Sequence, residues 1–222
     1  METRAPLIAS LLIVAGMAAL SLRASPTISD SARIATHFDW AGTPNGYMDK
    51  THALWFAPLS GLGIAALFLV LPLLTRRKEG LARSGGAYVA GWIGTLLLLA
   101  VAHCVIVLRA RGIVLDVTGN LTFAAALFFV VAGNLLGKTA PNDFVGVRTP
   151  WTKRSDYAWE KANRLAGYLT VATGLVTLGA LALGDARHAR LVMLAGLLAM
   201  AVISVIASYF YWRSDPDRVG RN

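Results

Sequence analysis

The chain has 222 residues, of which 56% are hydrophobic and only 15% charged, with a mean hydropathy of +0.58. A soluble domain of this length needs more charge to cover its surface, and here the charges cluster between long apolar runs, which points to membrane spans. A formal net charge of +9 in a soluble chain suggests nucleic acid, but these basic residues flank apolar runs. Membrane orientation accounts for them, and no direct nucleic-acid partner is read.

Six apolar runs follow in chain order, at about Ala5–Leu22, Ala53–Leu74, Ala87–Leu108, Leu121–Leu136, Leu165–Leu183 and Leu191–Trp212. At about 1.5 Å per residue most of them can cross a hydrocarbon core of about 30 Å. The fourth is the shortest unless Gly119 and Asn120 join it. The backbone must satisfy its own hydrogen bonds in lipid, so the spans should be helices. The expected fold is an all-α integral membrane protein with six transmembrane helices. Segments that face inward if the N terminus is inside include Arg76, Arg77, Lys78 and Arg83, and Lys138 through Arg164. They hold twice as many lysines and arginines as the outward segments. That bias predicts cytoplasmic N and C termini. The first run lacks a small-x-small cleavage site before Ser25, and Arg23 interrupts the place for one. It is therefore read as a retained span.

The segment after the first span, residues 25–52, is expected to be external and folded. Gly42, Pro44, Asn45 and Gly46 form a dense turn signal, since proline presets φ and Asn-Gly tolerates positive φ. His37, Asp39, Asp49 and His52 lie near one another, but their spacing matches no compact ligand motif, so no metal site is assigned. Phe38, Trp40, Tyr47 and Trp55 are expected at the membrane interface. In the third span His103 is an intramembrane polar residue, read first as a helix–helix hydrogen-bond partner. Cys104 is the only cysteine, which excludes an intrachain disulfide. Gly91 with Gly94 and Thr95, and Gly174 with Gly179, offer small-residue helix contacts.

Residues 137–164 form a polar inner loop between helices 4 and 5. Pro141-Asn142 and Thr149-Pro150 break helix on each side of a short FVGV run. Ser155 is placed to cap a new helix with Asp156 in its first turn, and Glu160 and Arg164 form an i,i+4 pair. Trp159, Ala162, Asn163 and Ala166 fall on one stripe. This helix should run from the inner surface into the fifth span, with Trp151 and Trp159 near headgroup level. Asn134 and Asn142 are expected to tie the loop to the fourth span. Arg148, with its planar fork, should hold a carboxylate, a phosphate or a carbonyl cluster. The chain divides into residues 1–86, the first two spans with the external segment, and 87–222, the four-helix part with the polar loop.

The loop sequence GNLLGKTAPNDFVGVRTPWTKRSDYAWEKANRLAG resembles the signature of the SdpI family of bacterial membrane proteins. The matching residues are Gly133, Asn134, Pro141, Asn142, Gly146, Arg148, Thr149, Pro150, Trp151, Thr152, Trp159, Arg164 and Gly167. The external THFDWAGTPNGYMDK resembles the segment joining the first two spans in the same proteins, through His37, Phe38, Gly42, Pro44, Gly46, Tyr47 and Lys50. The resemblance implies a multi-pass protein of the bacterial plasma (inner) membrane. It implies immunity or resistance to a hydrophobic toxin peptide, and signalling by holding a cytoplasmic repressor at the membrane. The alternative is a transporter or lipid-handling protein, with His103, Asp116, Asn120 and Asn134 as path residues. No P-loop, GxGxxG after a strand or HExxH occurs. His103 and Cys104 point about 100° apart on a helix, a poor dyad. The expectation is a non-enzyme with no catalytic residue, metal or cofactor.

Overall fold

The computed structural model describes residues 2–184 and 186–221. It contains six helices long and apolar enough to cross a membrane: α1 (Arg4–Ala24), α2 (Lys50–Leu74), α4 (Gly85–Ala110), α5 (Val117–Leu136), α6 (Asp156–Ala182) and α7 (Ala186–Arg213). A short helix, α3 (Lys78–Arg83), lies between α2 and α4. The chain is a multi-pass membrane protein. Its large apolar side chains point outward along the spans, as Leu12, Leu73 and Leu198 do, because lipid rather than water surrounds them.

Two differences from expectation have simple causes. The fourth span reaches back to Val117, because Asp116 caps it: its Oδ1 accepts Gly119 N at 2.9 Å and the Thr118 hydroxyl at 3.1 Å. The external segment is a β-hairpin, β1 (Arg33–Phe38) paired antiparallel with β2 (Pro44–Asp49). Gly42 alone carries the positive φ, +84°, at its turn. Asn45 and Gly46 lie in β2 instead. A Cβ on Gly46 would sit 2.9 Å from His37 Cβ across the ladder, so this glycine serves close strand approach.

The chain forms two compact units. One joins Glu2–Val70 with Trp92–Ala124. Its core is Ala24, Ile28, Ile34, Ala53, Leu54 and Val107, so a hairpin residue, Ile34, packs with residues of α1, α2 and α4 and with Ile28. Lower on α1, Val14 and Met17 pack with Ala57. The second unit joins Leu71–Gly91 with the residues from Ala125 onward. Here α5 and α6 meet through glycines: a Cβ on Gly167 would lie 2.6 Å from Gly133 O, and one on Gly174 2.8 Å from Ala126 O. Gly179 faces open space. The buried threonines of α6 donate to their own helix, as Thr170 does to Ala166 O at 2.7 Å and Thr177 to Thr173 O at 2.8 Å. Such a hydroxyl enters an apolar interior already satisfied.

Candidate functional site

The polar segment between α5 and α6 is knotted by buried side chains. Asn142 is its first hub. Its Oδ1 accepts Phe144 N at 2.8 Å and Val145 N at 2.7 Å, and its Nδ2 donates to Ala140 O and Val145 O. It also reaches Ser84 Oγ at 3.2 Å. Ser84 in turn accepts Ala140 N at 3.0 Å. The helix α3 approaches so closely that a Cβ on Gly80 would overlap Pro141 O.

Asn163 on α6 is the second hub. Its side chain is fully buried, its Nδ2 donates to Trp159 O, and its Oδ1 accepts Val147 N at 2.7 Å. Gly146, at φ +125°, lies directly over it: a Cβ there would be 2.6 Å from Asn163 Oδ1 and 3.0 Å from Trp159 Cζ2. Only glycine fits both the backbone and the space. Thr149 and Thr152 close the RTPWT turn. Thr149 N donates to Thr152 Oγ1, Thr152 N to Thr149 Oγ1, and Thr152 Oγ1 to Val147 O. Pro150 needs no amide partner, which suits a turn. Thr149 also meets Ser208 Oγ of α7 at 3.0 Å.

Asp143 is turned toward the end of α2. Its Oδ2 accepts the Thr75 hydroxyl at 2.6 Å and the Arg76 and Arg77 amides. These bonds, led by the Thr75 hydroxyl, hold its carboxyl below the usual carboxylate range. Ser155 caps α6 by accepting Ala158 N at 2.9 Å and donates to Asp215 Oδ2 at 2.5 Å. Glu160 and Arg164 pair at 2.5 Å on the exposed side of α6.

Two expectations for this segment change, those for Trp159 and Asn134. Trp159 is 1% exposed and donates its indole N–H to Thr139 O at 2.9 Å. It is a core residue rather than a headgroup-level anchor, because the α6 stripe on which it lies faces protein. Trp151, half-buried, packs edge-on against Tyr209 with ring centroids 5.3 Å apart. Asn134 is exposed on α5 and lines a groove with Gly137 and Tyr168; the asparagines buried at the loop are Asn142 and Asn163. Arg148 is exposed and its guanidinium donates to the Asp143 carbonyl oxygen. Of the partner types expected for it, the structure brings up a backbone carbonyl. Beside the knot, Arg76, Lys78, Arg83 and Pro141 line an open cleft of about 470 Å³.

In the other unit, Asp39 Oδ1 accepts Ala41 N and Thr43 N, both at 2.8 Å, to shape the hairpin turn. Pro44 opens β2 opposite Phe38, and the Arg109 guanidinium stands 5.6 Å from the Phe38 ring. Lys50 donates to Ile28 O and pairs with Asp30, each at 2.8 Å. His37 is exposed, with Thr36 Oγ1 at 3.3 Å from its Nδ1. His103 is buried. Its Nε2 lies 3.0 Å from Ser21 Oγ and 3.2 Å from Met17 O. Ser21 spends its one proton on Leu54 O at 2.6 Å, so Nε2 carries the hydrogen that links α4 to α1.

Sequence reasoning missed Thr75, Ser84, Asp143 and Ser208, whose role comes only from distant partners. Asn163 was legible as an amide on a stripe of small residues, but not as the acceptor for Val147.

Residues 138–211 match the SdpI/YfhL protein family, and residues 12–62 match a domain of unknown function, DUF1648. The chain is 27% identical over 175 residues to Immunity protein SdpI of Bacillus subtilis (strain 168), covering 78% of this chain and 82% of that protein. No solved structure matches. The resemblance carried by the loop and hairpin residues is thereby shown over most of the chain.

Proposed function

We propose that this SdpI-like chain is a membrane immunity protein. It would protect a bacterial cell from a hydrophobic toxin peptide at the plasma membrane, with both termini in the cytoplasm. The observation that carries this reading is the match to an immunity protein along most of both chains. The buried knot supports a division of labour within the signature. Asn142, Gly146, Thr149, Trp159 and Asn163 spend their polar groups or their space on holding the segment together. Arg148, Pro150 and Lys153 remain exposed on its surface, where a partner can reach them. Recognition of a bilayer-partitioned peptide or of a cytoplasmic repressor would use that surface. It needs no catalytic group.

The test is survival of toxin-sensitive cells that express the chain. Wild type should protect against a hydrophobic toxin peptide of the SDP type. At equal membrane abundance Arg148→Lys should protect less than Lys153→Arg, because lysine keeps the charge and loses the planar fork. Absence of protection by wild type against that peptide and related ones would remove the reading. Equal protection by the two variants would remove Arg148 from it.

A further inference from the structure

The seam between α5 and α6 carries a second feature that the immunity reading does not use. A groove of about 560 Å³ opens along it, with Tyr168 and Leu175 exposed in its lining. Its floor is the close glycine contact described above, Gly133 against Gly167, where the two backbones meet. Its lining is layered. Lys138 and Arg164 stand at the mouth, Asn134 and the largely exposed Tyr168 come next, and Val171, Ala172 and Leu175 line the deep end.

The spacing of these layers has the dimensions of one lipid. Arg164 and Leu175 lie on one helix, and at about 1.5 Å per residue the groove runs about 16 Å deep, half of a hydrocarbon core of about 30 Å. Asn134 lies in the last turn of α5 and Lys138 just past its end, so the amide sits deeper than the ammonium, as the ester carbonyls of a lipid lie beneath its phosphate. The Asn134 amide can donate to an ester carbonyl, as can the Tyr168 phenol. An amide exposed on the flank of a spanning helix otherwise meets hydrocarbon, which disfavours it. At the mouth Glu160 is engaged by Arg164 at 2.5 Å, whereas Lys138 is exposed and enters no ion pair among the described residues. The cationic mouth disfavours a choline or ethanolamine group and favours a headgroup with net negative charge.

We propose that the α5–α6 groove binds one anionic glycerophospholipid, its phosphate at Lys138, its ester carbonyls at Asn134 and Tyr168, and an acyl chain along Val171, Ala172 and Leu175. This site is independent of the toxin reading and stands if the survival assay fails.

The experiment reconstitutes the full chain in vesicles and measures motionally restricted lipid by spin resonance, with spin-labelled phosphatidylglycerol and phosphatidylcholine as probes. Wild type should select phosphatidylglycerol several-fold. Lys138→Glu should abolish the preference, Ala172→Phe should block the trough and remove the restricted component, and Asn134→Leu should weaken selection a few-fold. Lys153→Glu, outside the groove, should leave selection unchanged. Thermal unfolding of each variant checks that the bundle is intact. No preference in wild type would overturn the proposal. So would a preference that survives both Lys138→Glu and Ala172→Phe, or one lost equally in Lys153→Glu, which marks a general basic surface. Displacement of the labelled lipid by soluble glycerol phosphate alone would reassign the site to a free anion.

Discussion

The signature segment and the β-hairpin both lie outside the spans, and they are held by opposite means. The hairpin is ordered by a backbone ladder, one aspartate at its turn and ion pairs whose carboxylates are exposed. The signature segment has no ladder. Its backbone amides are satisfied by buried side chains, Asn142, Asn163, Thr149 and Thr152. A ladder tolerates side-chain change because each bond is local and water can replace an exposed partner. A buried side-chain network does not, since each loss strands a donor or acceptor away from water.

Matched substitutions sharpen that contrast. The largest effect is expected at glycine. Gly146→Ala forces a Cβ against Asn163 Oδ1 at a positive φ, and should cost roughly 3–5 kcal/mol by adding strain to overpacking. Gly42→Ala meets only ordinary contact with Thr118 at 3.4 Å, and should cost about 1–2 kcal/mol. Denaturant unfolding in detergent micelles compares the two, and equal costs would break the contrast.

Next come the acceptors. Asn163→Leu strands Val147 N and should cost about 2–3 kcal/mol. Asp39→Ala releases two exposed turn amides to water and should cost about 1 kcal/mol or less. Trp159→Phe deletes the indole bond to Thr139 O and leaves part of a fully buried ring site empty, for about 2–3 kcal/mol. Thermal melts of the three variants order them.

Acid provides a titration of the same kind. The Asp143 carboxyl is held below its ordinary value of 3.8 by the Thr75 hydroxyl and the Arg77 and Arg76 amides. Its contribution is therefore full above that value and is lost as pH falls through the lower folded value. Wild type should lose stability below about pH 4 more steeply than Asp143→Asn, whose amide does not titrate there. Unfolding followed from pH 5 to 3 measures the slope. Asp49 is also lowered, by His52, but is exposed to solvent, so Asp49→Asn should change the slope less. The smallest effect is expected at the exposed Glu160–Arg164 pair: Glu160→Gln should cost a few tenths of a kcal/mol, at the limit of detection in the same melts.

The spans are legible in the residues alone, because lipid imposes a length and an apolar composition that no tertiary contact can waive. So are the cap at Ser155 and the Glu160–Arg164 pair, which depend on residues within one turn. The local signals failed where partners come from far along the chain. Asn-Gly at 45–46 signalled a turn, yet it lies in β2, since the ladder with His37 outweighs a two-residue preference. Trp159 and Asn134 both carried interfacial or loop-tying expectations. The tertiary structure buried the first on Thr139 and left the second on an open groove. Which face of a helix meets protein and which meets lipid is set by the neighbouring helices. Apolar residues are at home on both faces, so hydropathy cannot distinguish them.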